Sequence, residues 1–235
     1  MTESDFVLDL KEGEERLSGL GLRHFRSRVE KAAHILTELT MLGVDPKVRL
    51  KALCAGAGVG FVPYILARHT AWTYVGGELN QEYIDRHPWV RQRLNIVRLD
   101  LTAMPFPDNT FDLVICNHVI EHVPKWEALA RELHRVVRPE GIVYVATPNI
   151  YRPKVPLRIL LQNKKNLARD TRIALHLGFA LHELKAVFAH FSHLYNFNRT
   201  HASLNCPAWL RPLLPVVPDL VYDYALPTNV IICRK

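Results

Sequence analysis

Three glycines on alternate positions, Gly56, Gly58 and Gly60, close a short apolar run over residues 48–55. Glycines so placed let the chain turn tightly and let a ligand touch the backbone. A helical apolar pattern follows over residues 59–68, so a helix N-terminus with free N–H groups opens at the same place. Glu78 lies 20 residues after Gly58, at the end of the next apolar run. A carboxylate there is suited to accept hydrogen bonds from both ribose hydroxyls of a nucleoside. The spacing also selects among nucleotides. The dinucleotide fingerprint is GxGxxG, and here Phe61 stands where its third glycine would be, which disfavours NAD and FAD. A P-loop is excluded, because no Gly-Lys-Ser/Thr follows the turn.

A second group is His118, Glu121 and His122, spaced HxxEH. On a helix these positions share a face and could ligate a metal. The string abuts a strand-like run over residues 111–116, not a long isolated helix, so we reject a zinc peptidase site and assign no metal. His122 has two readings, a general base that titrates near neutrality or a packed, hydrogen-bonded residue where the next helix starts. His118 is its neighbour in the first role. His176 and His182 are further candidate bases, each with a surface or packing role as the alternative.

These residues need elements to hold them. Apolar residues at helical spacing predict a helix over residues 22–42, with Gly43 as its C-cap. Strands are predicted at 48–55, 72–76, 95–99, 111–116 and 142–146, with helices at 59–68, from about 80, and at 125–137. Strands alternating with helices at this spacing predict a parallel sheet covered on both faces, a doubly wound, Rossmann-like α/β fold. The rhythm breaks after Pro148: residues 179–191 read as helical, 193–197 as a strand, five prolines punctuate 207–227, and 229–233 read as a last strand. We read one domain over 1–235: an N-terminal helical cap (1–45), a ligand-binding core (46–150), and insertions at 151–192 and 200–228 that build the active edge.

Composition agrees with a globular chain. Of 235 residues, 49% are hydrophobic and 23% charged. No apolar run reaches 18 residues, and the start of the chain lacks a signal-peptide pattern, so a cytoplasmic location is expected. Cys54, Cys116, Cys206 and Cys233 form no CxxC pair, and three of them fall in strand-like runs, which predicts buried, reduced core residues. The net charge of +7 is unevenly spread: residues 1–16 are acidic, whereas 151–175 carry seven Lys and Arg against Asp170 alone. Such a stretch reads as a solvated face, a lid over an apolar acceptor, or a peripheral contact with an anionic membrane.

The ordered set of motifs over residues 48–149 resembles the class I S-adenosylmethionine-dependent methyltransferases, in the broad group that includes the quinone-biosynthesis methyltransferases. The resemblance rests on Gly56-Ala57-Gly58-Val59-Gly60, Glu78, Asp100-Leu101, Asn117-His118-Val119-Ile120-Glu121-His122, Arg138-Pro139-Glu140-Gly141 and Ala146-Thr147-Pro148-Asn149. It implies S-adenosylmethionine as cofactor, held by Cys54, Ala55, Gly56, Ala57, Gly58 and Gly60, by Glu78 and Leu79 on the ribose side, by Asp100 and Leu101 beside the adenine, and by Asn117 and His118 after the fourth strand. It also implies a seven-stranded sheet with one antiparallel strand, the place for 229–233.

One position departs from the pattern. Cys54 stands where the family carries an acid that holds the methionine end of the cofactor. Some related quinone methyltransferases hold a metal with an acid-x-x-Glu-His loop, but His118 stands where that acid would be. The loop also lacks the Asn/Asp-Pro-Pro-Tyr/Phe motif of enzymes that methylate exocyclic or amide nitrogens, and the Pro-Cys of cytosine C5 enzymes. The expected function is therefore methyl transfer to a small organic acceptor, most simply to an oxygen, and not to nucleic acid. The alternative is a catalytically inactive protein of the same fold that docks on membrane or RNA. The sequence does not fix an oligomeric state.

Overall fold

The computed structural model describes residues 6–151, 177–206, 212, 215–218, 221–223 and 226–235. The seven strands form a mostly parallel sheet with helices around it, the Rossmann-like architecture expected from the alternating pattern. The chain packs as two compact units, Met1–Leu101 and Thr102–Lys235.

The first unit runs α1 (Val7–Arg16), α2 (Gly19–Met41), β1 (Lys51–Ala55), α3 (Phe61–His69), β2 (Thr73–Glu78), the short helices α4 (Gln81–Asp85) and α5 (Pro88–Arg91), and β3 (Asn95–Arg98). Its strands lie in the order β3-β2-β1, all parallel. Four of the five β1 residues are buried, which is why this strand reads as a continuous apolar run and not as an alternation. Helix α2 buries Phe25, Val29, Ala32, Ile35, Leu36 and Leu39, the stripe that its periodicity predicts.

The acidic N-terminal stretch contains a helix that the sequence reading did not identify. Helix α1 turns its acids inward. Asp9 is buried, with Oδ2 2.6 Å from His69 Nε2 and Oδ1 2.9 Å from Arg68 Nε. Glu12 accepts from the Tyr64 hydroxyl at 2.7 Å and pairs with Arg16, Arg68 and Arg93. Burial works against the Glu12 charge, but the Tyr64 hydroxyl and these arginines outweigh it and hold the carboxyl below its ordinary range. The charge cluster thus docks α1 on α3.

The second unit runs β4 (Phe111–Asn117), a 3₁₀ turn (Ile120–His122), α6 (Trp126–Val136), β5 (Val137–Pro148), α7 (Leu181–Val187), β6 (His193–Asn196), α8 (Asn198–Asn205) and β7 (Thr228–Arg234). Its strands lie in the order β4-β5-β7-β6. Strand β4 pairs parallel with β5, and β7 runs antiparallel to both β5 and β6, as expected for the last strand. Cys116 and Cys233 are buried in β4 and β7, Cys54 is buried in β1, and none of the four cysteines forms a disulfide. Helix α8 was not foreseen; it falls in the stretch read as a long connection.

Buried amides fix where the connections return. Asn198 Nδ2 donates to Asn229 Oδ1 at 2.9 Å and to Asp223 Oδ1 at 3.0 Å, while its Oδ1 accepts from Val230 N at 2.8 Å. Asn229 Nδ2 donates to Phe179 O, and Asn149 Nδ2 to Asp223 O, both at 2.8 Å. Asn149, Asn198 and Asn229 are wholly buried, so their polar groups must be satisfied within the protein.

Two outcomes follow for stability. Asn198→Ala leaves the Val230 N–H and the Asn229 amide oxygen buried without partners, and should cost about 3 kcal/mol in urea unfolding. Burial, followed in each case by neighbouring basic side chains, lowers the proton affinity of His24, His87 and His134 below the ordinary histidine value of 6.5. Neutral imidazole is the form the folded state favours. Stability should therefore be full above pH 6.5 and fall as pH drops below it, because the unfolded chain binds these protons first. Unfolding midpoints between pH 8 and 5 check this, and His134→Phe should flatten the fall.

Candidate functional site

The loop between β1 and α3 is built on positive backbone angles. Gly56, Gly58 and Gly60 have φ of 78°, 56° and 85°. The N–H groups of Gly56 and Ala57 both donate to Gly77 O, at 2.8 and 2.9 Å, and Gly60 N donates to Ala57 O at 2.9 Å. These bonds fold the loop back over the end of β2. Two of the glycines have different reasons to be there. A Cβ on Gly60 would lie 2.6 Å from Ile96 Cδ1 and 2.8 Å from Val90 Cγ1, so Gly60 is required for packing. A Cβ on Gly58 would meet nothing within 4 Å. Gly58 leaves backbone open above the loop, as a ligand that contacts the chain requires.

Glu78 ends β2 and holds this loop. Its Oε2 accepts from Gly58 N at 2.8 Å and its Oε1 from Asn80 N at 3.0 Å. A carboxylate has about four acceptor sites, so each oxygen keeps one for a further donor. Leu79 follows it and is exposed, with its carbonyl accepting from Arg98 Nε at 3.2 Å. Leu99 N donates to Glu78 O at 3.0 Å, which carries the chain from β3 to an exposed Asp100 and a buried Leu101. Cys54 and Ala55 are buried at the end of β1. Burial, and then the charge of Glu78, pushes the Cys54 thiol up to about 12. It is a neutral thiol at physiological pH. The first unit therefore gathers one open loop and one half-used carboxylate at the carboxyl ends of β1 and β2, where open α/β sheets bind ligands.

The second unit holds the histidine loop. Asn117 ends β4, His118 follows in the left-handed region with φ 55°, and His118 N donates to Ala146 O at 2.8 Å. Glu121 and His122 sit in the 3₁₀ turn, so the three residues do not share one α-helical face. Glu121 is buried and accepts from Thr147 Oγ1 at 3.1 Å. Its Oε1 lies 3.5 Å from His118 Nδ1 and 3.9 Å from His122 Nε2. The arrangement is one buried carboxylate flanked by two partly exposed imidazoles. His182 is exposed on α7. His176 and the basic stretch 152–176 lie outside the described residues.

The sequence reading missed the residues that anchor the two insertions in this unit. Ile150 N donates to Phe179 O, Phe179 N to Pro148 O, and Asn149 N to Pro227 O. Both connections thus return to the carboxyl end of β5. Three asparagines at the ends of otherwise apolar runs were the available signal.

Comparison with known proteins is consistent with this geometry. Residues 53–145 match the family described as the methyltransferase domain. It is 34% identical over 123 residues to malonyl-[acyl-carrier protein] O-methyltransferase of Halorhodospira halophila, a match over 50% of this chain and 40% of that protein. It is 30% identical over 124 residues to sterol 24-C-methyltransferase of Yarrowia lipolytica, over 50% of this chain and 32% of that one. The chain thus spans less than half of either relative. Among solved structures it is similar to Haemonchus contortus phosphoethanolamine N-methyltransferase 2, bound to phosphomonomethylethanolamine and S-adenosylhomocysteine, with a TM-score of 0.56, 14% identity, and coverage of 85% of this chain and 52% of that one. That last likeness concerns the fold.

The two glycines can be separated by measurement. Gly60→Ala should destabilise the protein by more than about 1 kcal/mol, since it adds a steric clash to a left-handed backbone. Gly58→Ala should cost about 1 kcal/mol, for the backbone alone. Equal losses in urea unfolding would contradict the packing role of Gly60.

Proposed function

We propose that this chain transfers the methyl group of S-adenosylmethionine to an oxygen of a small organic acceptor. The observation that carries the cofactor is Glu78. It ties Gly58 and Asn80 by their N–H groups and keeps an acceptor site on each oxygen, which suits two ribose hydroxyls. The open backbone above Gly58 fits the same ligand. The methyltransferase-domain match spans this loop, and the Haemonchus enzyme of similar fold binds S-adenosylhomocysteine.

When bound, S-adenosylmethionine supplies a methyl group already activated on a sulfonium. The residues of the chain then have to orient the acceptor, exclude water and take up the hydroxyl proton. His118 and His122, with the Glu121 carboxylate beside them, are second-unit groups able to hold a proton. The relatives act on oxygen, carbon and nitrogen by their names, so likeness alone does not choose the acceptor atom. Oxygen is favoured by the O-methyltransferase relative and by the lack of an Asn/Asp-Pro-Pro-Tyr/Phe motif after β4. The Glu121-His122 pair after β4 supports a kinship with the quinone-biosynthesis group, although His118 stands where that loop carries an acid.

A protein that keeps the fold without catalysis is the competing reading, motivated by Cys54. Calorimetry separates the two. The wild-type chain should bind S-adenosylmethionine, and Glu78→Ala should weaken binding at least about tenfold through loss of charge-assisted bonds. A wild-type chain that binds no cofactor at millimolar concentration would overturn the proposal.

A further inference from the structure

Two adjacent residues of β5 hold the two sides of the histidine loop. Strand β4 ends at Asn117, which pairs with Ala146, and His118 N donates to Ala146 O at 2.8 Å. The next residue of β5, Thr147, donates its hydroxyl to Glu121 Oε2 at 3.1 Å, and that bond is buried. Thr147 is itself fixed by its pairing with Asn229 of β7. Between these anchors the chain makes its 3₁₀ turn. The turn is closed by bonds from His122 N to Val119 O and from Val123 N to Ile120 O, and Ile120 pins it in the core. His118 enters the turn with φ 55°. Residues other than glycine disfavour that conformation, and it persists where the surrounding structure demands it.

The carboxylate so held has unlike neighbours on its two oxygens. The Glu121 side chain is 2% exposed, so its charge needs partners inside the protein. Thr147 serves Oε2, and Oε1 faces the imidazoles. Oε1 lies 3.5 Å from His118 Nδ1, at the outer edge of hydrogen-bond reach, and 3.9 Å from His122 Nε2, beyond it. Catalytic pairs of this kind often tighten when a ligand arrives. His118 is also the more enclosed imidazole, with 27% of its side chain exposed against 47% for His122. A carboxylate that faces Nδ1 keeps the ring proton on that nitrogen and makes Nε2 the basic one.

We propose that Glu121 and Thr147 are positioning residues that make His118, in preference to His122, the base for the acceptor hydroxyl. The inference deepens the methyl-transfer reading and rests on it. His118 Nε2 takes the hydroxyl proton while the acceptor oxygen forms its bond to the methyl carbon. The sulfonium C–S bond breaks, its electron pair stays on sulfur, and the sulfur loses its positive charge. That charge reappears on the His118 ring, where the Glu121 carboxylate faces it. Thr147 keeps the carboxylate turned to the ring.

The test reads imidazole tautomers in the full chain from nitrogen NMR resonances, at a pH above the imidazole titration range. No acceptor is needed. His118→Gln and His122→Gln assign the two signals. In the wild-type chain His118 should carry its proton on Nδ1. Glu121→Met removes the acceptor at similar volume and should abolish that preference. Thr147→Val should abolish it too, whereas Thr147→Ser, which keeps the hydroxyl, should retain it. A role in packing alone gives the reverse order, since valine fills the space of threonine and serine does not. Thermal unfolding checks each variant, and if Glu121→Met fails to fold, the wild-type tautomer and the two Thr147 variants still decide. A wild-type His118 protonated on Nε2 overturns the assignment. So does an Nδ1 proton that persists in Glu121→Met or Thr147→Val, or a dependence on Glu121 seen at His122 instead. Calorimetry with S-adenosylmethionine on the same samples is read separately: a wild-type chain that binds no cofactor overturns the methyl-transfer reading, whatever the tautomer.

Discussion

A single carboxylate at the end of β2 sets the geometry on which the candidate site depends. Glu78 accepts from Gly58 on one oxygen and from Asn80 on the other, so it couples the loop after β1 to the turn after β2. Gly77 just before it takes the N–H groups of Gly56 and Ala57. With three of its N–H groups held by two adjacent residues of β2, the loop has little freedom left. Rigid placement matters for a nucleoside site, because preorganised acceptors lose no free energy to ordering when the ligand arrives. The same bonds explain why glycine recurs on alternate positions. Each turn of the loop enters the left-handed region; Gly58 faces open space, whereas Gly60 is crowded by Ile96 and Val90.

The second unit solves a different problem with the same economy of polar groups. Two long connections leave and rejoin the sheet beside β5. An apolar interface alone would not fix where they return, because hydrophobic contact is non-directional. Buried amides are directional. Asn198 bonds Asn229, Asp223 and the Val230 backbone, Asn229 bonds the Phe179 carbonyl, and Asn149 bonds the Asp223 carbonyl. Breaking any one leaves a buried donor or acceptor without a partner, so the set holds as a whole. Residues that flank the described ends of both connections are thereby kept at the carboxyl end of β5, the side of an α/β sheet where ligands bind.

The core of the fold was readable because its strands are buried on both faces and its helices on one. Continuous runs such as Leu53-Cys54-Ala55 and the α2 stripe carry strong periodic signals. Glu78 was readable as a candidate because its place at a strand end, after a glycine loop, leaves it few structural roles. What escaped the reading was polar. Helix α1 packs through Asp9 and Glu12, so its inward face looks hydrophilic in sequence and gives no apolar stripe. Helix α8 begins at Asn198, a residue that usually marks a turn. His24 and His87 both meet the Phe61 ring from positions some sixty residues apart, and only the fold brings them together.

Cys54 can now be read through its neighbour. The position is buried, and its electrostatics are coupled to Glu78. The thiol is pushed up to about 12, so it adds no charge there at neutral pH. An aspartate at this position would place a second carboxylate near Glu78 in a buried setting. Burial and like charge would both raise the cost of ionising the pair. A neutral thiol avoids that cost. Under the proposed methyl-transfer reading, the missing acid removes one anchor for a cofactor ammonium and leaves the Glu78 bonds to the loop as described. That reading then has a nucleoside site altered at one end and intact at the other, so Cys54 argues for a divergent cofactor grip more strongly than for a lost one.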